Sequence, residues 1–203
     1  MGGRSAVGCL LVIVAIVAIG GFWVAGTYNN LVRLSQAVDA QWAQVENVYQ
    51  RRADLIPNLV ATVKGAANFE KSTYIAVAEA RAKVGQVTQT IPQNVTSDPQ
   101  NFAKFEAAQN GLSSALARLL AVVENYPDLK ASENFLTLQS QLEGTENRIA
   151  VERMRYNDVA RQYNTTLQSF PTVFIAGFFG GKFPPKEYFK AQPGAETAPV
   201  VKF

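Results

Sequence analysis

Residues 131–170 read ASENFLTLQSQLEGTENRIAVERMRYNDVARQYNTTLQSF, and every seventh position from Phe135 carries an apolar or aromatic side chain: Leu142, Ile149, Tyr156, Tyr163 and Phe170 follow. Leu138 and Val159 fall between these positions, as do the polar Thr145 and Glu152. A stripe that recurs every seven residues stays on one face of a helix slightly underwound to 3.5 residues per turn. The spacing predicts a long helix from about Ala131 to Ser169, packed against neighbours as in a left-handed bundle or coiled coil.

The same reading extends upstream. Phe102, Phe105, Leu112, Leu116, Leu119 and Val123 form a 3–4 seam in which Gln109 takes one place. Asp98 followed by Pro99 suits the start of that helix, a capping carboxylate before a proline whose missing amide proton costs nothing in the first turn. Asn125-Tyr126-Pro127-Asp128 ends it as a turn, and residues 86–98 read as a polar connection without helical period. From Tyr28 to about Arg52 the stripe is Leu31, Leu34, Val38, Val45 and Val48, with Trp42 and Tyr49 alongside. Asp54 can cap a further helix that accepts Pro57 in its first turn and runs to about Gly85 along Leu59, Val63, Ala66, Val77, Ala80 and Val84. Glu70 and Arg81 lie near that seam. Helices of about 25, 29, 27 and 39 residues, the first three spanning roughly 40 Å, and short connections at 53–57 and 125–130 predict antiparallel neighbours. The expected fold class is all-α: an N-terminal transmembrane helix followed by an antiparallel up-down four-helix bundle with long helices. The alternative is a single rod through Pro57, since no glycine marks a turn there.

The N-terminus supplies the membrane segment. No charge lies between Arg4 and Arg33, and residues 6–26 form an apolar run long enough to cross a bilayer as one helix. Leu10, Leu11, Ile13 and Ile16 would face lipid, while Trp23 and Tyr28 fall at the far end, where aromatic rings favour the headgroup region. A cleaved signal peptide is the competing reading. The stretch exceeds a usual signal core and no small-x-small site follows Val24, so a retained anchor is preferred. Cys9, after Ala6-Val7-Gly8, precedes most of the hydrophobic stretch and so does not read as a lipoprotein cleavage box. Basic residues near the membrane lean toward a cytoplasmic N-terminus and a bulk domain outside the cytoplasm. The expected layout is a flank at 1–5, the span at 6–26, a helical-bundle domain at 27–170, an aromatic-rich segment near the membrane at 171–190 and a disordered tail at 191–203.

Composition restricts the chemistry. Lys and Arg number 19 against 16 Asp and Glu, a net charge of +3 with signs mixed, so no nucleic-acid patch announces itself. Histidine is absent and Cys9 is the one cysteine, which removes histidine triads, His-ligated zinc, Glu-x-x-His di-iron sites and a disulfide framework. Glu143, Glu146 and Glu152 interleave with Arg148, Arg153 and Arg155, a pattern of helix-surface pairing rather than acid–base catalysis. Gly180-Gly181 has no strand–loop–helix context for a phosphate loop. No catalytic, cofactor-binding or metal-ligating residue is expected.

The interaction candidates are of three kinds. Arg51, Arg52 and Asp54, with Pro57, read as a surface ion-pair group capping the turn farthest from the membrane, or else as a docking patch. Tyr156-Asn157 and Tyr163-Asn164 recur at seven residues, and read as core rings whose hydroxyls and amides satisfy hydrogen bonds and fix register, or else as a ladder that recognises a partner. Phe170, Phe178 and Phe179 lie where the last helix returns toward the membrane. With Lys182, Lys186 and Lys190 they suit an interfacial contact, or else they fold back as an apolar cap.

Several long motifs resemble the LemA family: RRADLIPNLVATVKG at 51–65, EARAK at 79–83, YPDLKASENF at 126–135, EGTENRIAVER at 143–153, Tyr156-Asn157, Tyr163-Asn164, Phe170-Pro171 and AGFFG at 176–180. The resemblance covers about Tyr28 to Phe189. The chain carries Ala66 and Phe69 where many members carry a tyrosine and a histidine, which counts against a metal or proton-switch role there. It implies a bacterial, single-span protein of the cell (inner) membrane with a helical-bundle domain and no catalytic residues to transfer; a magnetosome-associated relative hints at membrane organisation. The expectation is a non-enzymatic scaffold that self-associates or organises membrane proteins, with membrane lipid and a homo-oligomer or another membrane protein as partners. The alternative is an adaptor or sensor subunit for a membrane protease or envelope component. No nucleic acid, small-molecule substrate or cofactor is expected.

Overall fold

A computed structural model describes residues 2–65, 70–90 and 95–190, with the backbone course alone for residues 2–6 and 9. Among the described residues the chain is all-α, with no strand. The helices are α1 (Gly2–Lys64), α2 (Lys71–Thr90), α3 (Pro99–Val123), α4 (Pro127–Lys130), α5 (Glu133–Gln168) and α6 (Thr172–Phe178), with a 3₁₀ turn at Val95–Ser97.

α1 is one helix of 63 residues that contains both the apolar run and Pro57. The expected turn at 53–57 and separate helix from Asp54 to Gly85 are therefore corrected: the helix continues through Pro57 but ends at Lys64 rather than running as one rod to Gly85, and α2 starts anew at Lys71. Proline has no amide proton, so the carbonyl of Ala53 one turn earlier loses its helical partner. Arg81 Nε on α2 donates to that carbonyl at 3.0 Å. Asp54 caps nothing; its carboxylate accepts from Gln50 Nε2 at 2.7 Å, one turn back on the same helix. The helix stops at Gly65, whose amide donates to the carbonyls of Ala61 and Thr62, both at 3.2 Å. Ala66 and Phe69 lie outside the described residues, as does the tail 191–203.

The chain divides into two compact units: residues up to Ala40 with Val159–Lys186, and Gln41–Asp158 with the segment from Glu187. The second unit has a core drawn from five helices: Ile56, Leu59 and Val63 of α1, Val77 and Val84 of α2, Leu112, Leu116, Leu119 and Val123 of α3, Leu129 of α4, and Phe135 and Leu142 of α5. α2 packs along α3. Its helical course to Thr90 corrects the expected polar connection from residue 86; residues 91–94 lie outside the described residues, and Val95–Ser97 form the 3₁₀ turn. Asp98 does cap α3, accepting from the amides of Gln100 and Asn101 at 2.9 and 3.1 Å with Pro99 in the first turn. All six apolar seam residues of α3 are buried, and so is Gln109. Ser132 Oγ accepts from the amide of Phe135 at 3.3 Å and starts α5.

In the first unit, Leu31, Leu34 and Val38 of α1 are buried, as are Tyr163 and Leu167 of α5 and Ile175 and Ala176 of α6. The seven-residue seam of α5 is buried from Phe135 to Tyr163 and ends there. Phe170 lies beyond α5 and is 80% exposed, which removes it from the seam. α6 ends in Gly180 and Gly181 at φ 59° and 81°, a left-handed turn only glycine takes without strain.

Candidate functional site

Two tyrosine–asparagine pairs of α5 make a repeated set of specific polar contacts. In the first unit, Asn164 Nδ2 donates to the carbonyl of Lys186 while its Oδ1 accepts from the amide of the same residue, both at 2.8 Å. Tyr163 donates its hydroxyl to the carbonyl of Pro184 at 3.0 Å. In the second unit Asn157 grips Phe189 in the same two-bond manner, both at 2.9 Å, and the Tyr156 hydroxyl donates to Glu187 O at 3.0 Å. A side-chain amide thus plays the part of a neighbouring strand toward one peptide unit, satisfying a donor and an acceptor together. The motif repeats every seven residues on the helix, and its partners every three on the extended chain; these steps advance about 10.5 and 9 Å.

The pairs therefore hold the chain's own segment 184–190. Phe183, Lys186 and Phe189 are buried at a period of three, as a polyproline-type strand after Pro184-Pro185 would place them. Phe189 enters an aromatic cluster, with ring centroids 4.9 Å from Phe102, 5.4 Å from Tyr156 and 5.9 Å from Trp42. Arg153 lies over its ring at 4.5 Å. This corrects the expectation that Lys186 serves a membrane surface: it is buried, 3.3 Å from Asp39, with its ammonium 5.9 Å from the Tyr163 ring centroid. Burial, and secondarily the Asp39 carboxylate, push the Tyr163 phenol up to about 12. Sequence spacing located the pairs but not their partner. The available signal was Pro184-Pro185, which enforces an extended course.

Arg51, Arg52 and Asp54 do not form one surface group. Arg51 and Asp54 are exposed on α1, whereas Arg52 is 1% exposed and occupies a place in the apolar seam between Tyr49 and Ile56. Its Nη1 donates to Ser113 Oγ at 2.7 Å and Glu146 Oε1 at 2.8 Å; its Nη2 bonds Gln109 Oε1 and lies 3.3 Å from Gln109 O. Its guanidinium stands 5.1 Å from the centroid of Tyr49, and a cavity of about 190 Å³ opens there. Burial raises the Tyr49 phenol, with Arg153 and Arg52 opposing. Of the expected carboxylate–arginine pairings along α5, Arg155 with Glu152 at 2.8 Å is present; Glu146 and Arg153 instead reach other helices, to Arg52 and Glu106.

Leu10, Leu11, Ile13, Ile16 and Trp23 are exposed along α1, which is long and apolar enough there to cross a membrane. Tyr28, two residues past the apolar run, packs its ring against Phe179 at 4.8 Å and Phe183 at 5.5 Å, with Lys182 over it at 4.8 Å. Phe178 is 86% exposed and Phe179 half-buried. Among the described residues no three His, Cys, Asp or Glu side chains gather as metal ligands.

A family model described as the LemA family matches residues 41–203. The chain is 29% identical over 188 residues to magnetosome protein MamQ 2 of Paramagnetospirillum magneticum, covering 86% of this chain and 68% of that protein. It is 28% identical to magnetosome protein MamQ of Magnetospirillum gryphiswaldense, with the same coverage. It is 24% identical to protein LemA of Metamycoplasma hominis, covering 82% and 71%. None of these names states a reaction. With most of the sequence matched and an apolar helix at its N-terminus, the chain is a membrane-associated member of the LemA family.

Proposed function

We propose that this protein is a non-enzymatic scaffold, anchored in the bacterial cell membrane by one span, whose helical body self-associates or organises membrane proteins. One observation carries the reading: within the first unit α1 carries both the exposed apolar run and the buried Leu31, Leu34 and Val38, so the span and the packed part of that unit share one helix. Such a joint suits a part that holds others in place. The body is read as a four-helix bundle of α1, α2, α3 and α5, and the bulk of the chain as lying outside the cytoplasm. The tyrosine–asparagine pairs turn hydroxyls and amides to the chain's own backbone, and Arg52 turns both its Nη atoms to side chains of α3 and α5, which suits a structural role. That relatives are named magnetosome proteins supports a membrane role of this class.

The test is the native mass of the full chain, extracted in mild detergent and corrected for bound detergent. A single polypeptide with a mass many times 22.1 kDa supports self-assembly. A strict monomer with no lateral contacts in native membranes overturns it. A discrete complex with a different protein favours the second reading, an adaptor or sensor subunit for a membrane protease or envelope component. The open cleft of about 450 Å³ lined by Leu116, Ala117 and Leu120 of α3 and Leu142 of α5 supports that alternative.

A further inference from the structure

α6 turns one face inward and the other to solvent. Ile175 and Ala176 are buried, whereas Phe170, Phe174 and Phe178, four residues apart, are 80%, 71% and 86% exposed, and Val173 beside them is exposed as well. Phe174 and Phe178 lie on α6, where a step of four residues drifts only about 40°, so these two rings follow one side, and Phe170 precedes the helix. Phe170 and Phe174 meet edge to face at 5.9 Å, and Phe178 meets Phe179 at 5.8 Å. No charged residue occurs from Phe170 to Gly181. An uncharged aromatic face of this kind is costly in water, and contiguous apolar patches mark contact surfaces.

The position of this face selects what covers it. Phe179, the next residue after α6, packs its ring against Tyr28, which follows the apolar run of α1 by two residues. Phe183, four residues after Phe179, packs on Tyr28 as well, and Lys182 Nζ is hydrogen-bonded to the Tyr28 hydroxyl. The C-terminal end of α6 is therefore fixed at the level where the span leaves the hydrocarbon. Aromatic rings partition to that level, with lysine amines reaching toward the headgroups. We propose that α6 is a second membrane contact: Phe170, Phe174 and Phe178 insert into the lipid interface beside the span, and Tyr28 ties the two together. The span plus this interfacial foot would fix the tilt and rotation of the protein on the membrane, which one helix alone leaves loose. The inference rests on the membrane-crossing reading of residues 6–26 and not on self-association.

Site-directed spin labelling of the full chain tests it. Cys9→Ser removes the one native cysteine, and single cysteines are then placed by Phe174→Cys, Phe178→Cys, Ile13→Cys as a reference in the span, and Arg118→Cys as a reference in water. Each variant is reconstituted into mixed phosphatidylcholine–phosphatidylglycerol vesicles, and collisions with oxygen are compared with those of a water-soluble nickel chelate. Labels at 174 and 178 are expected to lose nickel accessibility relative to 118 and to favour oxygen as 13 does. Nickel-accessible labels at both positions, with 13 in lipid, overturn the proposal and leave the span intact. A water-like label at 174 overturns it even when 178 favours oxygen, because the face then points away from the bilayer. Dipolar broadening at 174 and 178 that vanishes on dilution with unlabelled chain also overturns it, since a second copy then covers the rings. A water-like label at 13 removes the span, and the proposal with it.

Discussion

Arg81 donates its Nε to the carbonyl of Ala53 at 3.0 Å, the one backbone acceptor that Pro57 leaves without a helical partner. Proline in a helix interior costs about 3 kcal/mol, from a lost hydrogen bond and from the clash of its ring with the preceding turn. Here the ring is exposed and the lost bond is replaced from another helix, so α1 continues to Lys64.

That replacement predicts a coupling. Arg81→Ala in the full chain should lower stability by about 1 kcal/mol, the usual net worth of one such bond. In a Pro57→Ala background the restored amide of residue 57 occupies the Ala53 carbonyl, and the same Arg81 change should cost close to nothing. Pro57→Ala alone should raise the thermal midpoint. A double-mutant cycle on detergent-solubilised protein reads the difference; additive effects would separate Arg81 from the proline.

Asn164 satisfies both polar groups of the Lys186 peptide from a buried position. Asn164→Ala strips two hydrogen bonds and leaves a buried donor and acceptor unmet, with an expected loss of about 2–4 kcal/mol. Asn164→Asp keeps the acceptor but sets a carboxylate oxygen against the Lys186 carbonyl, and should fall between. Asn147→Ala, on the exposed side of α5, should change stability by less than about 0.5 kcal/mol. Hydrogen exchange at the Lys186 amide gives an independent readout: it should quicken in the Asn164 variants and not in Asn147→Ala.

Arg52 and Glu146 share an ion pair in unequal surroundings, with side-chain exposures of 1% and 41%. Removing the exposed partner leaves a buried guanidinium without its counter-charge, whereas removing the buried partner leaves a carboxylate that water can reach. Glu146→Ala should therefore cost about 1–3 kcal/mol, and Arg52→Met, an apolar side chain of similar reach in an apolar seam, should stay within about 1 kcal/mol of the parent or exceed it. Thermal unfolding of both variants checks the order. A larger loss for Arg52→Met would mean that Gln109 and Ser113, not Glu146, are what the guanidinium organises.

Much of this architecture is legible locally. The seam of α3 and its Asp98–Pro99 start obey rules that operate within a turn or two, and so does the seven-residue stripe of α5 up to Tyr163. What escaped reading depends on residues far apart in sequence. Pro57 looks like a helix start unless Arg81, 28 residues past Ala53, is known to reach back to the Ala53 carbonyl. Arg52 reads as surface charge because its neighbours in sequence are Arg51 and Asp54, while its partners come from α3 and α5. The segment 184–190 has no helical period and takes its order from side chains on α5, so only its prolines betray an extended course. The tyrosine–asparagine spacing pointed to core rings and amides that satisfy hydrogen bonds, without naming the segment they bond.

The Tyr163 phenol gives the fold an alkaline limit. Its ordinary value near 10.0 is pushed up to about 12 in the folded chain by burial, with Asp39 adding repulsion. The neutral form is thus favoured in the native state, and the hydroxyl donates to the Pro184 carbonyl only while it keeps its proton. Below about pH 10 both folded and unfolded chains hold the proton and the contribution is complete. Between about pH 10 and 12 the unfolded chain releases it while the native chain does not, so stability falls as pH rises. Denaturant unfolding across that window should show a decline that Tyr163→Phe makes shallower, although Tyr163→Phe is itself less stable at neutral pH by about 1 kcal/mol for the lost bond to Pro184. Absorbance at the phenolate band should rise for exposed tyrosines first and for Tyr163 together with loss of helix. A Tyr163→Phe profile parallel to the parent's would assign the alkaline limit to other groups.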